Sequence, residues 1–307
     1  MSMKIIFLGT AGSIPTLSRG LSAIVLKRKN EQIMFDCGEG TQRQILKTKT
    51  GFHKKMKILI SHLHGDHVLG LPGLLQTMAL MNRQKKIEIY GPVGIKQFIE
   101  CSKEILKFGL TFPVDLVEIV NSGIVCDEKE YYIEAIKSSH SETSLSYGFV
   151  EKPRPGKFFP EKARKMEVPE GKFWSKLQKG KDIELPDGRI VQSANVTGPL
   201  RKGRKIIYSG DTRPFKNFEK FACDADLIIH ESTFDDSLIE KALIDGHSTP
   251  SQAAEEAKKS KAKKLILTHI SARYPDSNIL YKQAQKIFKN TIIAEDFMEI
   301  ELPLIEN

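Results

Sequence analysis

The 307-residue sequence predicts an α/β fold that carries its chemistry at the ends of strands, and three observations predict it. Short apolar runs alternate with longer stretches of helical spacing along most of the chain. Clusters containing His or Asp follow directly on four of those runs, which is where α/β architectures place their reactive groups. Hydrophobic residues make up 40% of the chain and charged residues 28%, the balance of a globular protein rather than a disordered one.

The elements read in order as follows. Ile5–Leu8, Ala23–Lys27 and Gln32–Asp36 have the β-branched and apolar content of strands. Met56–Ser61 is a short apolar run that ends in a His-rich loop. Leu69–Met81 has helical spacing and is apolar enough for a core helix, or for an interface between chains. Ile87–Tyr90 is a strand stopped by Gly91-Pro92, and Ile95–Lys107 is a helix. Tyr131–Lys137, Lys205–Ser209, Leu227–His230 and Leu265–Thr268 are strands. Pro250–Lys259 is a helix with Thr249 placed to cap it. Ile279–Lys289 is a further helix, and the tail Asp296–Leu304 alternates like an edge strand.

No apolar run reaches the roughly 18 residues of a membrane helix. The first residues read as a strand rather than a signal peptide, so a cytoplasmic protein is expected. Cys37, Cys101, Cys126 and Cys223 are scattered without a CxxC pair, which argues against a disulfide framework or a cysteine zinc site.

Net charge is +9. Between Glu151 and Lys205 there are 15 Lys or Arg against 7 Asp or Glu, so one stretch carries nearly all of the excess. Within it, Glu151–Lys181 interleaves basic residues with Phe158, Phe159, Phe173 and Trp174 and with four prolines. Its apolar periodicity is too weak for the main core, and prolines with aromatics are poor linker material. An extended arm or hairpin inserted into the domain is expected, a solvated linker being the alternative.

The strongest chemical signal is Ser61-His62-Leu63-His64-Gly65-Asp66-His67. Imidazole nitrogen and carboxylate oxygen suit zinc and similar divalent metals, and a loop leaving a strand can aim such side chains at one point. One loop cannot complete two metal shells. His140, Asp211 and His269 lie at later strand ends and extend the candidate set.

An HxHxDH loop followed by separate His, Asp and His positions resembles the metallo-β-lactamase superfamily. Further segments narrow the resemblance. Phe7-Leu8-Gly9-Thr10 with Pro15-Thr16 and Arg19, Asp36-Cys37-Gly38-Glu39-Gly40-Thr41-Gln42-Arg43-Gln44 and the whole of Ser61–Leu71 are similar to motifs of the tRNase Z family. So are Ser209-Gly210-Asp211-Thr212-Arg213-Pro214, His230-Glu231-Ser232-Thr233, Gly246-His247-Ser248-Thr249 and Thr268-His269-Ile270-Ser271-Ala272-Arg273-Tyr274. The likeness spans nearly the whole chain, at the length of the family's short form.

The resemblance implies a metallo-β-lactamase αββα sandwich over residues 1–307, with a flexible basic arm, the tRNA-binding exosite, inserted at residues 151–190. It implies a zinc-dependent endoribonuclease that removes the 3′ trailer from tRNA precursors near the discriminator base. One zinc would be held by His62, His64 and His140, the second by Asp66, His67 and His269, with Asp211 bridging. Asp66 would orient the nucleophile. His247 would be the general acid for the leaving 3′-oxygen, unless it only caps the Pro250 helix or bonds its own loop. Glu231 would support His247 or a ligand histidine. Arg19 and Arg273 would meet phosphate or the acceptor end, or be ordinary surface arginines. Lys172 and Lys176 would bind tRNA from the arm. Its aromatics would stack on bases or pack the arm on itself. The arm departs from many bacterial members at Pro169-Glu170-Gly171-Lys172, where those carry a Gly-Pro pair before the lysine.

A homodimer acting on precursor tRNA follows from the resemblance, with no membrane or DNA partner. The competing expectations are a hydrolase or thioesterase for a small ester, a non-catalytic RNA-binding module, and exonucleolytic trimming. A basic arm has no use for a small ester, and a complete ligand set has none in a binding module.

Overall fold

The structure, a computed structural model, describes residues 3–304. Contacts divide these into two compact units. One comprises most of the chain, and the other is built on Glu151–Arg204 with Glu128–Tyr131.

The larger unit contains two seven-stranded sheets among the described residues. The first runs Glu299–Leu302, Met3–Gly9, Ala23–Arg28, Glu31–Phe35, Lys55–Leu59, Ile87–Pro92, Val114–Ile119. It is antiparallel up to Glu31–Phe35 and parallel from there on. The second runs Thr291–Ile293, Leu265–Thr268, Leu227–Glu231, Lys205–Tyr208, Leu145–Glu151, Tyr131–Lys137, Gly123–Asp127. Its parallel strands are buried on both faces, as their unbroken apolar runs require.

The sheets meet face to face. Tyr208 packs its ring 5.3 Å from that of Phe35. Tyr147 reaches across with its hydroxyl to donate to the Ile60 carbonyl at 2.8 Å. Helices cover the outer faces. On the first sheet Leu71, Leu74, Leu75 and Met78 of Gly70–Leu80 pack against Ile58, Ile60 and Ile89. On the second, Ala253, Ala254 and Ala257 of Pro250–Lys259 lie against Ile228, Leu265 and Leu267. Small alanines let that helix sit close to the sheet. The architecture is the expected αββα sandwich.

The helix read over Leu69–Met81 forms as Gly70–Leu80, buries Leu71, Leu74, Leu75, Met78 and Ala79 in the core and leaves Leu69, Leu80 and Met81 exposed at its ends. Among the described residues no helix is long and apolar enough to cross a membrane.

Sequence reasoning passed over four strands of these two sheets, one of them Thr291–Ile293, which is only three residues long. Val114–Ile119 and Gly123–Asp127 lie at sheet edges, where Asp115 and Glu118 interrupt the first and Ile124-Val125-Cys126 gives the second an apolar run of only three residues. Leu145–Glu151 contains Ser146 and Gly148, weak strand formers that are buried because both of its neighbours pair with it.

The second unit corrects the picture of an extended arm. It has its own small core of Ala163, Val168, Leu177, Ile183, Leu185, Val191 and Val196. Phe158, Phe173 and Trp174 pack against that core, and Trp174 Nε1 donates to the Val168 carbonyl at 2.9 Å. The helices Pro160–Lys165 and Lys172–Gln178 are each under two turns, too short to display the periodicity that marks a core. Arg204 and Glu151 form a buried ion pair at 2.7 Å within this unit.

A buried pair also locks the second sheet to its helix layer. His230 Nε2 lies 2.8 Å from Glu256 Oε2, and its Nδ1 is 2.7 Å from the Glu231 carbonyl. With an acceptor at each nitrogen the ring is held as imidazolium. Burial opposes the charge, but Glu256 and the backbone acceptor outweigh it and raise the pKa. Such a group adds stability that is complete below its unfolded pKa of about 6.5 and is lost as pH rises through the higher folded value. Glu256→Gln is expected to lower unfolding stability by about 3 kcal/mol at low pH, and the difference from wild type should shrink as pH rises. Urea midpoints measured across this range check it, and parallel curves for the two proteins would remove the charged pair.

Candidate metal centre

The cluster is assembled from strand ends. Lys55–Leu59 delivers Ile60–His64 to the edge of the sandwich, and the short helix Gly65–Val68 then turns Asp66 and His67 back toward it. His140 follows Tyr131–Lys137, Asp211 follows Lys205–Tyr208, and His269 follows Leu265–Thr268. His269 and Asp36 both hold positive φ, +58° and +57°, where non-glycine residues are uncommon. Strain of this kind persists where surrounding structure over-determines it, typically at functional sites.

The seven candidate ligands come together in two groups. One is His62, His64 and His140, and the other is Asp66, His67, Asp211 and His269. Asp211 Oδ2 lies 3.3 Å from both His67 Nε2 and His269 Nε2 and 3.8 Å from His62 Nε2, so it stands between the groups.

The outer hydrogen bonds fix the ring tautomers. His67 Nδ1 faces Asp36 Oδ2 at 2.7 Å and His140 Nδ1 faces the Gly246 carbonyl at 2.9 Å, both of them acceptors. Ser61 Oγ gives its proton to Asp36, so it accepts from His62 Nδ1 at 3.0 Å. Thr233 Oγ1 gives its proton to Glu231, so it accepts from His269 Nδ1 at 2.8 Å. Four imidazoles therefore donate outward and turn bare Nε2 lone pairs inward. These meet each other and carboxylates: His67 Nε2 is 3.2 Å from His269 Nε2, and His140 Nε2 is 3.1 Å from His64 Nδ1. His62 Nε2 and Asp211 Oδ1 are buried with no hydrogen-bond partner among the described residues. Inward lone pairs and carboxylates packed this closely fit divalent cations. Burial lowers the pKa of His62 and of His140, which keeps both neutral and able to ligate.

Gly246 is required where it stands. Its φ is +80°, and a Cβ there would come within 2.8 Å of His140 Nδ1, displacing the ring that its carbonyl orients.

His247 lies outside both groups of three and four. Its ring stacks on His269 at 5.5 Å and sits 4.9 Å from that of His140. Its Nδ1 is 2.9 Å from Glu231 Oε1, which leaves Nε2 as the nitrogen available to a substrate. Burial works against its charge, but Glu231 and Asp211 hold the imidazolium pKa up to about 9. Capping of the Pro250–Lys259 helix does not need it, because Thr249 and Gln252 form a complete capping box. Glu231 binds His247 directly and reaches His269 through Thr233, so it touches both partners that sequence reasoning left open.

The remaining candidates are dispersed. Arg19 turns inward, its Nη1 donating to Thr10 Oγ1 at 2.7 Å and to the Ala294 carbonyl at 2.6 Å, so its guanidinium braces the loop. Arg273 is exposed and lies 5.3 Å over the ring of Phe234, whose other cationic neighbour is Lys241 at 5.5 Å. Lys172 and Lys176 are exposed, one turn apart on Lys172–Gln178.

Sequence reasoning missed Asp36, the hub beneath the cluster. It accepts from Ser61 N, Ser61 Oγ, Tyr208 Oη and His67 Nδ1. The available signal was an Asp directly after an apolar strand, the same placement that marked Asp211. Carboxylates that orient ligand histidines typically carry about 10- to 100-fold in metal affinity. Asp36→Asn should weaken divalent-metal binding by that factor in a competition titration. Unchanged affinity would mean that Asp36 serves packing alone.

Comparison with known proteins places the chain among hydrolases of this architecture. The family Beta-lactamase superfamily domain matches residues 188–270, and the family Anti-Pycsar protein Apyc1 matches residues 3–154. The chain is 44% identical to Ribonuclease Z of Methanosarcina acetivorans over 302 residues, 98% of each chain. It is 40% identical to Ribonuclease Z of Bacillus subtilis over 306 residues, 98% of this chain and 99% of that one. The crystal structure of human tRNase Z, short form, superposes with a TM-score of 0.72 at 33% identity, covering 98% of this chain and all of the other.

Proposed function

Because the chain belongs to the ribonuclease Z family, we propose that it is a metal-dependent endoribonuclease that hydrolyses one phosphodiester of precursor tRNA. The cut falls near the discriminator base, removes the 3′ trailer and leaves a 3′-hydroxyl on the tRNA. The observation that carries this reading is the convergence of five imidazoles and two carboxylates on one pocket with every oriented ring donating outward.

His62, His64 and His140 would hold one zinc ion and Asp66, His67 and His269 a second, with Asp211 shared between them. Two such cations neutralise phosphate charge and render water acidic enough to attack at neutral pH. The protein supplies the rest. Asp66 is steadied by the Ser13 N–H at 2.8 Å and accepts a hydrogen bond from the attacking water, aiming it at phosphorus. The new oxygen–phosphorus bond forms on the trailer side, and the bond to the tRNA 3′-oxygen breaks. His247 delivers a proton from Nε2 to that oxygen, while Glu231 fixes its ring and stabilises its charge.

The basic unit at Glu151–Arg204 supports a structured polyanion as substrate. Exposed Lys172 and Lys176 offer phosphate contacts that read form rather than sequence, as suits an enzyme for many tRNAs of one shape. The working unit is a homodimer on this reading, and the exposed Leu69, Leu80 and Met81 are available to such an interface. Incubating the zinc-loaded protein with a 3′-extended tRNA transcript tests the function. A single endonucleolytic product with a 3′-hydroxyl is expected. Turnover of a small ester with an intact transcript would leave the metal centre standing and remove the tRNA assignment.

A further inference from the structure

A groove of about 340 Å³ opens beside a loop that starts at the metal cluster, and the cleavage chemistry makes no use of it. The loop leaves the cluster at Ser13, which holds Asp66, and reaches the groove at Thr16–Gly20. The wall of the groove is internally saturated. Arg19 is committed to Thr10 and Ala294. Asp296 accepts from Thr10 Oγ1, Gly20 N and Gln44 Nε2. Those groups brace the loop and offer little to a ligand.

What remains is Arg43 and Lys47, one turn apart on the helix Thr41–Lys47, with Phe297 beside them. Among the described residues neither cation has an ion-pair partner. Lys47 Nζ lies 5.1 Å from the centre of the Phe297 ring. Glu39 also lines the groove, so these outward charges sum to a positive balance. Phe297 is 40% exposed and has a φ of +69°. A bulky residue adopts that backbone only when its surroundings force it. Here its N–H is pinned to the Phe7 carbonyl at 2.7 Å. A strained aromatic presented to solvent beside two cations serves neither core packing nor solubility.

We propose that this groove binds the single-stranded RNA on the 3′ side of the cut, with a base against Phe297 and backbone phosphates on Arg43 and Lys47. An aromatic platform flanked by cations is the pattern that holds single strands without sequence preference. The polar groups that would read a base edge, Gln44 and Asp296, are already engaged, so the site tolerates trailers of any sequence. The inference rests on reading the metal centre as an RNA-cleaving site.

Two measurements test it on the full chain. Binding of a labelled single-stranded RNA of about eight nucleotides is compared in wild type, Phe297→Asn and the double variant Arg43→Gln, Lys47→Gln. Asparagine tolerates positive φ, so the first variant removes the ring without forcing the backbone. It should weaken binding about tenfold, and the double variant should flatten the salt dependence by up to about two counterions. Separately, the ratio of kcat/KM for precursors with about eight trailer nucleotides over those with one should fall about tenfold in each variant. Oligomer binding that is unchanged in both variants, in a wild type that cuts precursor, overturns the groove alone. So does an unchanged trailer-length ratio, or adenosine monophosphate competing as strongly as the oligomer, which would mark a free-nucleotide site. A wild type that cuts no precursor overturns the cleavage reading and the trailer assignment together.

Discussion

Asp211→Ala is expected to abolish cleavage of precursor tRNA, with kcat falling on the order of a thousandfold, equivalent to about 4 kcal/mol. The position of the carboxylate is the reason. One oxygen stands 3.3 Å from His67 and His269 and 3.8 Å from His62 of the other group, and the second oxygen is buried without a hydrogen-bond partner among the described residues, so both donor groups converge on this side chain. Removing it leaves His62, His64 and His140 as one incomplete set and takes the shared oxygens from both. Zinc content measured after dialysis should drop below two per chain. The metal-free variant should still show native far-UV circular dichroism, because the two hydrophobic layers do not depend on the carboxylate. Retention of two zinc ions with full turnover would disprove the shared role.

His247→Ala separates proton delivery from metal binding. Its ring lies against His269 and His140, but its Nδ1 is bound to Glu231 rather than committed to either ligand set. The variant should therefore keep two zinc ions and a near-normal KM, while kcat falls by roughly 10²- to 10⁴-fold, the range of a lost general acid. Loss of a ligand lowers metal content and activity together, whereas loss of an acid lowers activity alone. A precursor analogue with a more acidic leaving oxygen at the cut should recover part of the lost rate in His247→Ala, because that oxygen departs with less need of a proton. Full turnover by the variant would show that His247 only shapes its loop.

How much of this was legible beforehand depends on where each signal is local. His62, His64, Asp66 and His67 crowd into one loop, and that density is visible in a string of letters. His140, Asp211 and His269 are single residues whose significance comes from the strands before them, so their recognition required the order of the motifs as well as their identity. Asp36 escaped because its role is defined by Tyr208, Ser61 and His67, which approach from the strand Lys205–Tyr208, the loop after Lys55–Leu59 and the helix Gly65–Val68. Arg19 misled for the same reason, since its guanidinium turns toward Ala294, far away in the sequence. The basic stretch was visible by charge, whereas its compactness was not. Side chains at Ala163, Leu177, Ile183 and Val196 converge from short elements that have no periodicity of their own.

By itself the sequence determined the class of fold, the ligand types and the basic unit. Strand and helix periodicity, residue chemistry and charge are local properties that survive in one dimension. Only the tertiary structure decided which ring nitrogen faces inward, which carboxylate lies between the two groups, and that Phe297 stands strained beside Lys47. Those depend on hydrogen bonds and contacts between residues separated by up to about 290 positions, which no local pattern encodes.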